Sequence, residues 1–428
     1  MKKPECYSGF FLCGDNNMTK SIIPEVLSPA GDEERLIAAL RFGADAVYIS
    51  GKSFGMRAAC ANFDKDGLRR AVELTHTAGK KIYVTCNILP RNKDLDAIPE
   101  YFAYLDEIGV DALIISDIGT MELAKQYAPN CALHVSTQFG VVNHATATAL
   151  YHMGAKRVVL ARELSLDEIR EIRQKTPSEL ELEAFVHGAI CMSFSGRCVI
   201  SNYLTDRDAN HGECSQPCRW KYTVVEETRP DLPMTLEQDE EGSYLFNAND
   251  MNMIAHIAEL AQAGISSFKI EGRAKSFYYT AVTANAYRQA VDRYVHSGCS
   301  AEYVPEDWVV NEMNKISHRP YGTGFYYGMP AQHLKQGGYI RAYEVAAVVD
   351  GWEDGYLVTT QRNRFFPGDE LDVLEPGGKP FTFTAKTILD ENKTPIESAK
   401  HPMMRVYIPY ERPLAVGTLL RFDKSKSE

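Results

Sequence analysis

From Pro24 the chain repeats one unit: a helix-like segment ends in glycine, and a short apolar run follows within a few residues. Residues 42–49, 78–84, 108–115, 153–160 and 263–270 are the instances. A glycine directly after a helix supplies the left-handed backbone that caps it. An apolar run without alternation suits a parallel strand buried on both faces. Residues 26–28, 133–136 and 180–186 add three more such runs, and helical patterns fill the gaps, as at 32–42, 145–153 and 166–175. Eight strand–helix units over about 270 residues predict an α/β fold, a (β/α)8 TIM-barrel-like N-terminal domain. A doubly wound sheet is the alternative. It is disfavoured because Ser28-Pro29-Ala30-Gly31-Asp32, after the first strand, lacks G-x-G-x-x-G.

From Tyr343 the period changes to two. Residues 345–349, 356–360, 370–374, 381–384, 404–408 and 419–422 read as short strands, separated by turns such as Pro376-Gly377-Gly378. This predicts a small all-β barrel as the C-terminal domain. The expected organisation is a flexible leader over 1–23 and a barrel-like catalytic domain over 24–300. A connector over 301–340 and the β-barrel domain over 341–428 follow. Within the catalytic domain, residues 187–249 form a long excursion between strand and helix, and such excursions commonly carry function.

In a (β/α)8 barrel, chemistry lies where the strands end. Ser28, Asn87, Asp117, Gln138, Arg162, His187, Lys269, Glu271 and Arg273 are the polar residues there. The excursion adds Cys191, Cys198, Cys214 and Cys218, spaced C-x6-C-x15-C-x3-C. Converging thiolates suit soft metals and iron–sulfur clusters. Spacing alone leaves a cluster and zinc level, with four ordinary half-buried cysteines and no metal as the alternative: the x3 gap is knuckle-like, the longer gaps are not. Cys6 and Cys13 fall in the leader, and Cys60, Cys86, Cys131 and Cys299 read as small core residues.

Lys269, Glu271 and Arg273 alternate along an extended strand end and so face one way. Two cations around a carboxylate would bind a dicarboxylate or a phosphate, with a salt-bridged strand end as the alternative. His187, four residues before Cys191, is expected to move protons or donate a hydrogen bond beside the thiols, or else to be a satisfied, half-buried histidine. Arg197 and Arg219 adjoin cysteines and would tune a bound group or contact phosphate, or simply solvate a loop. Arg57 is a weaker candidate. Arg362 to Glu370 mixes arginine with phenylalanine, and reads as a core hairpin before a base-stacking surface. Neither H-E-x-x-H nor G-x-S-x-G occurs.

Composition narrows the classes. No apolar stretch reaches membrane-span length, and no signal-peptide core is present, so a cytoplasmic location is expected. There, ten cysteines are thiols or ligands and not a disulfide framework. A formal net charge of −11 argues against a general phosphate-coating surface and leaves a local patch as the route to nucleic acid.

Residues 183–198 and 212–219 resemble the signature of the collagenase-like peptidase family U-32. Residues 26–32, 43–48, 134–138, 268–273 and 317–319 resemble its other blocks, so the likeness spans nearly the whole chain from Pro24. The resemblance implies an iron–sulfur protein that hydroxylates RNA or a quinone precursor without molecular oxygen. Length and all-β tail look most like the branch that forms 5-hydroxyuridine at the tRNA wobble position, with prephenate as oxygen donor. It implies a 4Fe–4S cluster on the four cysteines and tRNA as partner. In some relatives the fourth ligand aligns with Asn252, a poor ligand, so that here either Cys218 takes its place or the cluster is held differently. The alternatives are a peptidase, a ribosomal RNA or quinone-precursor hydroxylase, and a noncatalytic RNA-binding module.

Overall fold

Eight short strands pair edge to edge and close on themselves. They are β1 (Glu25–Pro29), β2 (Ala46–Ile49), β3 (Lys81–Cys86), β4 (Ala112–Ile115), β5 (Ala132–Val135), β6 (Arg157–Val159), β7 (Glu181–Gly188) and β8 (Ser267–Ile270). Each pairs in parallel with its neighbour in chain order, and β8 pairs with both β7 and β1. The domain is therefore the closed parallel barrel that the repeating unit predicts. The structure, a computed structural model, describes residues 22–56, 61–191, 195–219, 238–239, 242–243, 249–328, 330 and 339–426.

Local sequence explains the units. Asp32 caps the helix Glu33–Arg41 by accepting from the Arg35 backbone N–H, and Ser165 with Glu168 forms a capping box on Leu166–Lys175. Gly43 and Gly264, at φ 101° and 87°, turn the chain from helix to strand in a conformation that disfavours other residues. Outward strand residues such as Val47, Val84 and Leu113 join the helices in one core. Inward residues Leu27, Tyr48, Tyr83 and Ile114 form a second, smaller cluster inside the barrel.

The lower part of the interior is ionic. Arg157, 4% exposed, lies 2.7 Å from Glu25 and 3.0 Å from Glu183, and also pairs with Glu181. Beyond the barrel, Asp250–Asn252 pairs antiparallel with the end of β7, and Tyr321–Gly322 pairs parallel with it. These strands set Asn252 opposite His187.

The C-terminal domain is a curled, six-stranded antiparallel sheet of Tyr343–Glu353, Tyr356–Gln361, Glu370–Leu374, Phe381–Thr384, Arg405–Pro409 and Leu419–Asp423. Register shifts at 345/347 and 349/351 bend its long first strand. Phe365, Leu371 and Ile408 are among its own core. The two domains are joined by buried charge: Arg421, fully buried, lies 2.7 Å from Glu312 and 2.6 Å from Asp372. Val345, Leu374 and Leu419 meanwhile pack into the core of the barrel domain. Arg362 pairs with Glu34 of the barrel domain at 2.8 Å and Phe365 is core, but Arg362–Glu370 is not the expected hairpin, because the strands it joins, Tyr356–Gln361 and Glu370–Leu374, lie apart in the sheet. Among the described residues no helix is long and apolar enough to cross a membrane.

Candidate active site at the barrel mouth

Strand β7 delivers the chain to Cys191 at the C-terminal end of the barrel. Cys191, Cys198, Cys214 and Cys218 line one cavity of about 110 Å³, together with Arg162 and Gln138. That is room for several water-sized groups. The four cysteines supply thiol donors from separate stretches of chain, which fits a thiolate-held iron–sulfur cluster in kind. Among the described residues, no three His, Cys, Asp or Glu side chains are drawn together closely enough to hold a metal ion.

The cysteine segment is clamped to the barrel by its neighbours. Glu163, just after β6, accepts from the Ser195 backbone N–H at 2.9 Å. Gly196 sits so close to β5's loop that an added Cβ would lie 1.9 Å from the Gln138 carbonyl oxygen. Asn210 donates to the Cys198 carbonyl at 2.8 Å, and Leu89 N–H donates to the Asn210 carbonyl at 2.9 Å. The Ser215 backbone N–H donates to Ser201 Oγ, tying the return through Cys214 to the helix Ile200–Thr205. His211 meets Asp94 at 2.8 Å.

Arg162 follows β6 and stacks over Phe185, its guanidinium carbon 3.8 Å from the ring centre. Its Nη1 donates to the Ala189 carbonyl at 2.9 Å, and its Nε is buried without an acceptor.

The model of peptidase family U32 matches residues 31–336, and that of the U32 C-terminal domain matches residues 341–421. The chain belongs to peptidase family U32. It is 35% identical over 415 residues to a tRNA hydroxylation protein of Bacillus subtilis, covering 94% of this chain and 95% of that one. It is 41% identical over 309 residues to an uncharacterized protease of Methanocaldococcus jannaschii, covering 72% and 74%. It is 40% identical over 268 residues to a 23S rRNA 5-hydroxycytidine synthase of Escherichia coli, covering 63% of this chain and 39% of that one.

Within this U32 chain the other predicted site residues divide into layers. Lys269, 5% exposed, points into the barrel, 2.7 Å from Glu183 and over the Tyr48 ring at 4.5 Å. Burial lowers its pKa, against the opposing pull of Glu183. Glu271 is at the rim, where the Tyr48 hydroxyl reaches its Oε2 at 3.4 Å. Arg273 is buried there and donates to Thr85 Oγ1 at 3.2 Å. The strand ends at Ile270, so its alternation sets only Lys269, which falls below the rim on the strand-end ion pair given as the alternative; Glu271 and Arg273 lie beyond the strand, Arg273 in a turn. None of the three lines the cysteine cavity.

His187 is 1% exposed and ringed by Tyr279, Tyr287 and Tyr321, with ring centroids 5.5–5.9 Å away. Burial pushes its pKa down to about 3, with His318 and Lys275 adding to the shift, so it is neutral at pH 7. Asn252 is opposite it in the ladder and is not at the cysteine cavity, whereas Cys218 is. Arg197 is exposed, with Nη1 3.1 Å from the Gly196 carbonyl. Arg219 ends the turn Pro217–Arg219; its side chain lies outside the described residues, as do Cys6, Cys13, Arg57 and Cys60. Cys86, Cys131 and Cys299 are buried, and burial pushes the Cys131 thiol up to about 12, so it is an inert core thiol. Asp117 is a helix N-cap. Sequence reasoning gave Glu163 no place in the site, although the Arg162-Glu163 pair directly after an apolar strand is a signal for it.

Proposed function

We propose that this U32 protein is an RNA hydroxylase that acts on tRNA in the cytoplasm and forms 5-hydroxyuridine at the wobble position. The observation that carries this reading is that four cysteines line one cavity at a barrel mouth. It occurs in a chain alike over 94% of its length to a tRNA hydroxylation protein. Cys191, Cys198, Cys214 and Cys218 would hold a 4Fe–4S cluster. When bound, such a cluster supplies one-electron chemistry. Prephenate is the oxygen donor in this reading.

The chain's own residues do the positioning. Glu163 and the close fit of Gly196 on Gln138 fix the cysteine segment over the barrel. Beside Cys198, Val199 is 68% exposed and Tyr203 is 87% exposed, an apolar surface on which an unpaired base can stack. Arg197 and Arg207, both exposed, flank it and suit phosphate. With a net charge of −11, binding is local and shape-directed.

Complementation tests this. In a strain lacking such nucleosides, the wild-type gene restores 5-hydroxyuridine-type nucleosides in tRNA, read by mass spectrometry, and single cysteine variants do not. Restoration by a variant with all four cysteines changed to serine would refute the cluster-dependent mechanism. Oxygen appearing on ribosomal RNA instead would move the substrate to that class. The peptidase reading is supported by the family's name. Against it, neither His187 nor His211 hydrogen-bonds a serine or cysteine among the described residues. Gelatin cleavage by homogeneous protein, blocked by one point mutation, would restore it.

A further inference from the structure

Arg162 stands out because half of its guanidinium is committed and half is not. Phe185 supports one face of the plane at 3.8 Å, and the Ala189 carbonyl takes Nη1. Those two contacts fix its orientation. Nε is buried and has no acceptor, and Ala189 is the protein acceptor found for this side chain among the described residues. The Nε–Nη2 edge is the fork that matches the two oxygens of a carboxylate. An arginine held this way gives up little freedom when it binds, because its plane is already set.

Among the described residues that line the cavity, Arg162 is the cation available to an anion. Glu163, the adjacent carboxylate lining the same cavity, is already hydrogen-bonded by the Ser195 backbone and hydroxyl. It is therefore not the partner that Arg162 lacks. The remaining lining includes Thr137, Gln138 and Asn210, which are neutral polar groups able to orient a small ligand. Of the two cations that sequence alone put forward for a dicarboxylate, Lys269 is occupied by Glu183 inside the barrel and Arg273 donates to Thr85; neither lines this cavity.

We propose that Arg162 is the carboxylate-binding residue of the cysteine cavity, and that the cavity takes a small organic acid beside the thiols. The role of that acid as oxygen donor rests on the hydroxylase reading; the anion site does not. Calorimetric titration of anaerobically purified full-length protein with prephenate tests it, alongside iron content and the visible spectrum. Arg162→Gln is expected to weaken binding at least about tenfold, the scale of a lost charge-assisted pair, with the spectrum and iron unchanged. Arg162→Lys keeps the charge but not the fork and is expected to fall between. If the wild type does not bind prephenate, or Arg162→Gln binds it equally well, the proposal is overturned. Loss of iron in both variants would make Arg162 a structural support of the cysteine segment and also overturn it. Arg162-dependent binding by a protein that fails to hydroxylate tRNA would sink the hydroxylase reading and leave the anion site standing.

Discussion

Lys269 Nζ lies 2.7 Å from Glu183 Oε1, with both side chains inside the closed barrel and almost no exposure. Removing one partner of such a pair leaves the other charge buried. Glu183 keeps Arg157 at 3.0 Å, which softens the loss. Lys269→Met is therefore expected to destabilise the fold by about 3 kcal/mol. Adding Glu183→Gln should recover part of that. Denaturant midpoints measure both. Full stability with lost activity would return Lys269 to a substrate-facing role.

Gly196→Ala is expected to unseat the cysteine segment. The added Cβ would meet the Gln138 carbonyl at 1.9 Å, and Gly196 already has a φ of 73°. The backbone on both sides must shift, while the barrel strands below are untouched. Far-UV circular dichroism should remain barrel-like and bound iron should fall. Retention of full iron would show that the segment can adjust.

Anaerobically purified protein is expected to be brown, with about four iron and four sulfide per chain. Alanine at Cys191, Cys198, Cys214 or Cys218 should each abolish the spectrum, since all four line the cavity. A colourless anaerobic preparation with stoichiometric zinc contradicts this assignment. An intact spectrum in Cys218→Ala removes Cys218 alone from the ligand set.

Stability should fall with acid through His187. Its folded-state pKa is near 3, against 6.5 for the free group. The unfolded chain therefore takes up the proton first. The stability of the neutral, buried ring is fully present above pH 6.5 and declines as pH falls toward 3, by about 1.4 kcal/mol per pH unit. His187→Asn should flatten that window in a pH series of urea melts. An unchanged acid limb in the variant would assign the effect to other groups.

Tyr203, 87% exposed beside the cavity, is expected to stack on RNA. Tyr203→Ala should weaken tRNA binding roughly tenfold, in the range of one base–aromatic stack, and Tyr203→Phe should not. Fluorescence anisotropy with labelled anticodon stem-loop measures it. Equal binding by all three proteins places the RNA elsewhere.

Much of this protein was legible from local pattern. Glycine-ended helices followed by unalternating apolar runs specify parallel strands, because capping and two-sided burial are decided within each unit. The change of period at Tyr343 likewise announced an antiparallel sheet, and the spacing of Cys191 to Cys218 marked the barrel mouth. What the sequence could not decide is depth and company. Lys269, Glu271 and Arg273 alternate in the sequence, but the strand ends at Ile270, and barrel closure pairs β8 with β7 and sets Lys269 against Glu183, 86 residues away. His187 is near Cys191 in sequence, yet the added strand Asp250–Asn252 and the helix Phe277–His296 bury it among tyrosines. Arg162 gains its meaning only when Phe185 from the next strand slides beneath its guanidinium and the cysteine segment folds over it. Strand direction is a property of neighbouring residues, whereas burial and the pairing of charges depend on segments far apart in the chain, and those meet only when the barrel closes.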